Sequence, residues 1–169
     1  RETPEGRLAE LILLDQFSRQ LHRGRPEAFA QDKMALALAQ EAIAGGNDMA
    51  VPRDWAMFFY MPFMHAESLI IQDEGVKLFE AMGDENATKF MIAHRDTIAR
   101  FGRFPFRNKA LGRQSTPEEI ASIVAWLASD APKALHDVKL AIKALDRAGL
   151  QLGGAAHDTR VGAWLATPT

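Results

Sequence analysis

Two groups of side chains in this sequence could do chemistry. The first is cationic: Arg19, Arg23, Arg103, Arg107 and Arg113, with Asn108 beside them. Guanidinium groups hold phosphate or carboxylate through planar, two-pronged hydrogen bonding. Arg103 and Arg107 flank Phe104, Pro105 and Phe106 inside the run Arg100 to Asn108, which packs three arginines and three phenylalanines into nine residues. The aromatics of such a run must bury area, and its cations must find anions or carbonyls. The run is therefore either a packed structural clamp or the wall of an anion-binding site. Asp15 lies four residues before Arg19, close enough to pair with it on one helix face. The plainer alternative has these arginines capping helix carbonyls and pairing with Asp15 and Glu67. Stacking of single-stranded bases on the phenylalanines is a third use of the same residue types, and the neighbouring acids weigh against it.

The second group is His65, Glu67 and His94. Around one pocket they would form an acid-base set, with Glu67 orienting one imidazole. The competing reading makes His94 a core histidine satisfied by a hydrogen bond, because it shares an apolar helix face with Ala87, Phe90, Met91, Ile98 and Phe101. Neither H-E-x-x-H nor C-x-x-C spacing occurs, so no metal site is expected. No phosphate loop, dinucleotide fingerprint or nucleophile elbow is present, and no cofactor is expected.

The elements that must position these groups read as helices. The chain has 169 residues, 47% of them hydrophobic and 25% charged, with a single Tyr. That length allows a sizeable core, and the abundance of Ala and Leu favours helix. Cysteine is absent, which excludes disulfides and thiolate metal sites. The net charge of −2 argues against a general nucleic-acid binder. No window is long and apolar enough to cross a bilayer, no signal peptide is evident, and the cytoplasm is the expected location. The chain opens on Arg1 rather than Met, so preceding sequence is expected to be missing.

Apolar periodicity predicts a first helix from Thr3 to His22 with Leu8, Leu11, Ile12, Leu14, Phe17 and Leu21 inward. Asp32 is the expected N-cap of a second helix, ended by Gly45 and Gly46. A third opens at Pro52 and Asp54 and is kinked or ended by Pro62. Ser68 caps a fourth, stopped at Gly83; Asp84 opens a fifth, closed by Gly102. Thr116, Pro117, Glu118 and Glu119 form a strong start signal for a sixth. Residues 67–85 carry six acids and one Lys, and residues 95–113 six bases and one Asp, so helices four and five are expected to pair across opposite charges. The expected core is Leu11, Leu14, Phe17, Phe58, Phe59, Phe63, Phe79, Phe90, Ile98 and Phe101.

Several blocks recur together in a known family. Leu13 to Arg19, Phe63 to Glu67, His94 to Asp96, Ile98 to Pro105, Arg107 with Asn108, and Leu111 to Arg113 resemble the DUF924 family of bacterial proteins. The resemblance runs from about Thr3 to Ala121 and implies an all-α, tetratricopeptide-like fold without an established activity. Where that family often has His after the Phe-Pro pair, this chain has Phe106, which counts against an enzyme. Residues 124–169 instead resemble part of the 3′–5′ exonuclease-like domain of bacterial DNA polymerase I, through Pro132 to Lys139, Ala148 to Leu150, His157 to Thr159 and Ala163 to Leu165. The resemblance implies a metal-binding Asp where Ala141 stands, and no acidic strand supplies other ligands. Exonuclease activity is not expected. Two unrelated resemblances point to a fusion, a recombined sequence or a designed chimera.

The expected fold is thus all-α: antiparallel helix pairs, tetratricopeptide-like, with a helical tail. Residues 1–121 form one domain and 122–169 a C-terminal segment packed on it. The exonuclease-like domain would make a strand near residues 133–136, but no partner strand is evident, so helices are expected over Pro132–Ala148 and Asp158–Leu165. The leading functional expectation is a non-enzymatic scaffold that binds a peptide or protein partner in a groove. Arg19, Arg103 and Arg107 would fix an acidic group, with Trp55 and Phe104 as apolar anchors. The alternative is a small-molecule enzyme using His65, His94 and Glu67 on an anionic substrate held by Arg103 and Arg107.

Overall fold

The computed structural model describes residues 2–130, 133–135 and 138–158, with backbone alone for Lys133–Leu135 and for His157 and Asp158. Contacts divide the chain into two units, Arg1–Gln114 and Ser115–Thr169. The fold is all-α in character.

The first unit opens with α1 (Pro4–Leu11), whose Thr3 side chain caps the Gly6 amide at 3.1 Å. The helix widens into a π-helical stretch at Ile12–Phe17 and returns to α2 (Ser18–Leu21). Next come α3 (Asp32–Ala44), α4 (Arg53–Met64), α5 (Leu69–Met82) and α6 (Glu85–Phe101). Left-handed Gly83 (φ 72°) turns α5 into α6, and the Asp84 side chain caps the Asn86 and Ala87 amides. Helices α5 and α6 pack on each other, α4 on α5, and α3 on α4 and α1. Arg95 reaches Asp73 across the α5–α6 pair at 2.9 Å, as the opposite charge runs imply.

The core is built from Leu8, Leu11, Ala39, Phe59, Phe63, Phe79 and Met91, all buried. Two expected core members lie outside: Phe17 is 51% and Phe90 68% exposed. In the first helix the inward stripe runs Leu8, Leu11, Asp15, so the hydrophobic row Leu14, Phe17, Leu21 is rotated off it. In α6 the buried line is Met91 and Ile98, with Phe90 one residue around the helix. Two end signals also differ. Asp32 is the first residue of α3 rather than its cap, and α4 continues through Pro62 to Met64. Pro62 is fully buried, so packing holds the turn despite the missing amide donor.

The second unit holds α7 (Pro117–Ala128), which opens with a reciprocal capping box between Thr116 and Glu119. The expected helix over Pro132–Ala148 is replaced by β1 (Lys133–Leu135) and a shorter α8 (Val138–Arg147). The missing strand partner is supplied from within: β2 (Ala155–Asp158) pairs with β1 in parallel, and α8 is the crossover. The Gly153 amide donates to the Leu127 carbonyl at 2.8 Å, and a Cβ there would stand 2.5 Å from the Ala128 oxygen. The helix expected over Asp158–Leu165 falls, past Asp158, outside the described residues, and Asp158 itself belongs to β2.

Gly75 marks a tight helix crossing in the first unit. A Cβ on it would lie 2.8 Å from the Met91 methyl and 3.1 Å from the Phe63 Cβ. Gly75→Val is expected to destabilise the protein by about 2 kcal/mol through overpacking. Urea denaturation of the variant checks this, and an unchanged midpoint would show that the crossing is looser than described.

Candidate functional site

The site grows from the π-helical stretch. Asp15 sits on the inward stripe there and is 2% exposed. Burial pushes its pKa up, but the His65 hydrogen bond and the charges of His65 and Arg19 outweigh that penalty, with Gln16 adding a donor. The net effect holds its pKa below the usual 3.8. His65 is the C-cap of α4, and its Nδ1 lies 2.7 Å from Asp15 Oδ1. An ionised carboxylate only accepts, so Nδ1 carries a proton, and the neutral tautomer compatible with this contact has Nε2 as its basic nitrogen.

Asp32 joins this pair to the rest of the site. Its Oδ1 and Oδ2 accept from the two Arg19 terminal nitrogens at 2.9 and 3.0 Å, and Oδ2 also accepts from Arg107 Nη1 at 3.0 Å. Arg19 closes the loop by lying 3.1 Å from Asp15 Oδ1. Arg107 Nη2 donates to the His65 carbonyl at 2.9 Å. The Arg107 guanidinium lies 4.6 Å from the centre of the Phe29 ring and 4.5 Å from that of Phe104. Burial lowers the pKa of Arg107 and Asp32 opposes it.

Glu67 belongs to a second cluster. Both its oxygens accept from Arg113, at 2.8 and 2.9 Å, and one also accepts the Phe104 amide at 2.7 Å. Burial would raise the Glu67 pKa, but these donors lower it. Glu67 is thus fastened to the Arg113 side of the corner and does not orient an imidazole; Asp15 does. His94 Nδ1 donates to the Phe90 carbonyl, 2.8 Å away, and its ring meets that of Phe104 edge-on. Burial lowers the His94 pKa against the opposing effect of that hydrogen bond. The ring is partly buried, and its Nδ1–H is satisfied by that backbone carbonyl.

A cleft of about 330 Å³ opens over these groups, lined by polar Asp32, Lys33, His65, Glu67, Ser68 and Arg107. Apolar Phe29, Leu36, Ala66 and Leu111 complete its wall. Of the acid-base set, His65 and Glu67 reach the cleft, while His94 packs behind Phe104. Of the arginines, Arg107 lines it and Arg19 backs it through Asp32. Arg113 is committed to Glu67, Arg103 donates to the Gln114 carbonyl, and Arg23 donates to Gln20. Asn108 is buried under the corner. Phe104 is 1% exposed, so it is a core residue rather than a surface anchor, and the exposed ring of the run is Phe106 at 63%. Trp55 is exposed in the first turn of α4, away from the cleft lining. In the sequence Lys33 and Phe29 carry no signal, and Ser68 reads only as a helix cap, since such residues at helix ends are ordinary. Among the described residues no cluster of His, Asp and Glu has the arrangement of a metal site, and no helix is long and apolar enough to cross a membrane.

Comparison with known proteins identifies the larger part of the chain. The family described as "Bacterial protein of unknown function (DUF924)" matches residues 1–127, and the chain belongs to it. A solved structure of a protein of unknown function from Agrobacterium tumefaciens superposes with a TM-score of 0.70 and 43% identity, over 72% of this chain and 69% of that one. A shorter stretch of 54 residues is 46% identical to DNA polymerase I of Mycobacterium leprae and 44% identical to that of Mycobacterium tuberculosis. That stretch is 31% of this chain and 6% of the polymerase.

Two predictions follow from the charges. Asp32→Ala leaves the buried Arg107 without its anion and is expected to cost about 3 kcal/mol of stability by chemical denaturation; a loss below about 1 kcal/mol would show the pair to be dispensable. His94 is held neutral, so the unfolded chain takes up its proton first. Stability should be full above pH 6.5, the ordinary histidine value, and fall as pH drops below it towards the lowered folded pKa. Denaturation midpoints at pH 7.5 and 5.5 test this: His94→Phe should flatten the difference between them, and an equal difference in both proteins would contradict it.

Proposed function

We propose that, in this member of the DUF924 family, the cleft over Asp15, His65, Asp32 and Arg107 is a small-molecule site in which His65 transfers a proton. One observation carries the reading: a carboxylate 2% exposed lies 2.7 Å from Nδ1 of an imidazole that lines a cleft. A buried ionic network costs desolvation that well-packed apolar residues would avoid, so a purely structural role accounts for it poorly. The carboxylate holds His65 in the tautomer whose Nε2 is basic and stabilises the imidazolium once the proton arrives. Asp15 sits in a π-helical stretch, a distortion frequent at functional sites. Arg19 and Arg107 fix Asp32, and Arg107 fixes the His65 carbonyl, so the imidazole is held from both ends.

A second reading, a scaffold of stacked, tetratricopeptide-like helix pairs that binds a protein partner, has its own support. Leu13, Phe17 and Leu21 repeat every four residues and are 57%, 51% and 74% exposed. Loss of partner capture in Phe17→Asp with retention in His65→Gln would favour it.

The catalytic reading is tested by screening small polar and anionic metabolites for thermal stabilisation and following binders by NMR for conversion. His65→Gln is expected to slow conversion by roughly 10²-fold or more, with Asp15→Asn intermediate. Binders that the wild-type protein leaves unchanged would reduce the site to a binding pocket.

A further inference from the structure

The charge balance of the cleft names a ligand class, on the premise that this cleft is the functional site. Both oxygens of Asp32 are taken by Arg19 and Arg107, and both oxygens of Glu67 by Arg113 and the Phe104 amide. The two acids of the lining are therefore already matched by internal cations. Lys33 is different. Among the described residues its ammonium has no hydrogen-bond or ion-pair partner, although it lines the same cleft. Ser68 stands on the lining as the N-cap of α5, yet its hydroxyl makes no cap bond. Beside these donors the wall is apolar: Phe29, Leu36 and Leu111.

We propose that this cleft binds a small organic carboxylate, its headgroup on Lys33 and Ser68 and its apolar body against Phe29, Leu36 and Leu111. A cation without an internal anion, next to an unclaimed hydroxyl, selects a negative headgroup. The volume of about 330 Å³ admits a short acyl or amino-acid-sized body and little more. His65 then lies in the same cleft as the bound headgroup. The carboxylate could come from a free acid or from the C-terminus of a peptide, and the chemistry of recognition is shared.

The test is a titration of the full chain, followed by backbone amide shifts in NMR, with four probes: hexanoate, hexanamide, and an N-acetylated Ala-Ala-Leu peptide with a free or an amidated C-terminus. Hexanoate is expected to saturate the amides around Lys33 and Ser68 and to bind roughly tenfold more tightly than hexanamide. Lys33→Gln should weaken it by roughly tenfold, and Ser68→Ala by less, with both variants keeping the wild-type melting temperature. Lys33-dependent binding of the free-acid peptide without binding of hexanoate assigns the carboxylate to a peptide end. Equal binding of hexanoate and hexanamide, no saturable binding of either free acid, or undiminished binding by Lys33→Gln overturns the proposal. The readout needs no turnover, so it stands or falls apart from proton transfer by His65.

Discussion

The first unit depends on one carboxylate. Asp32, at the first position of α3, accepts from Arg19 on the α2 side and from Arg107 on the loop after α6. Those guanidinium groups come from segments far apart in the chain, and both sit where water is scarce. Without the shared anion they would repel each other in a low-dielectric setting, where an unpaired charge is costly. The arginine-phenylalanine corner is thereby a clamp: Phe104 is buried, Arg107 is stacked between rings, and Arg107 Nη2 donates to the carbonyl of His65.

The same clamp sets the orientation of the candidate catalytic group. His65 ends α4, so its backbone is positioned by helix packing and its carbonyl by Arg107, while its ring is aimed by Asp15. Asp15 and Asp32 are linked through Arg19. A change at any member should be felt by the others, and single substitutions in this network will not add. Glu67 and Arg113 form a neighbouring pair that ties the start of α5's approach to the corner through the Phe104 amide.

The second unit shows how a short segment can borrow its own partner. A three-residue strand is unstable alone, but α8 carries the chain back so that Ala155–Asp158 lies parallel to it. The chain thus follows a strand–helix–strand path here, in a fold otherwise helical. The path needs close backbone approach at Gly153, where a side chain would meet the end of α7.

Much of the helical framework was legible in the residues. Thr116 with Pro117 and Glu119, Asp84 and left-handed Gly83 and Gly102 mark helix ends through local chemistry that needs no tertiary partner. The pairing of Asp15 with Arg19 was also local, being one helical turn. What only the tertiary structure decided was which face turned inward and which charges met. Hydrophobic periodicity put Phe17 and Phe90 in the core, yet the stripe through Leu8, Leu11 and Asp15 went inside because Arg19 and His65 were there to neutralise the carboxylate. Asp32 read as a cap and became a hub, and Phe104 read as an anchor and became core. Their partners lie tens of residues away, and a sequence records the spacing of neighbours but not the meeting of distant charges in a place from which water has been removed.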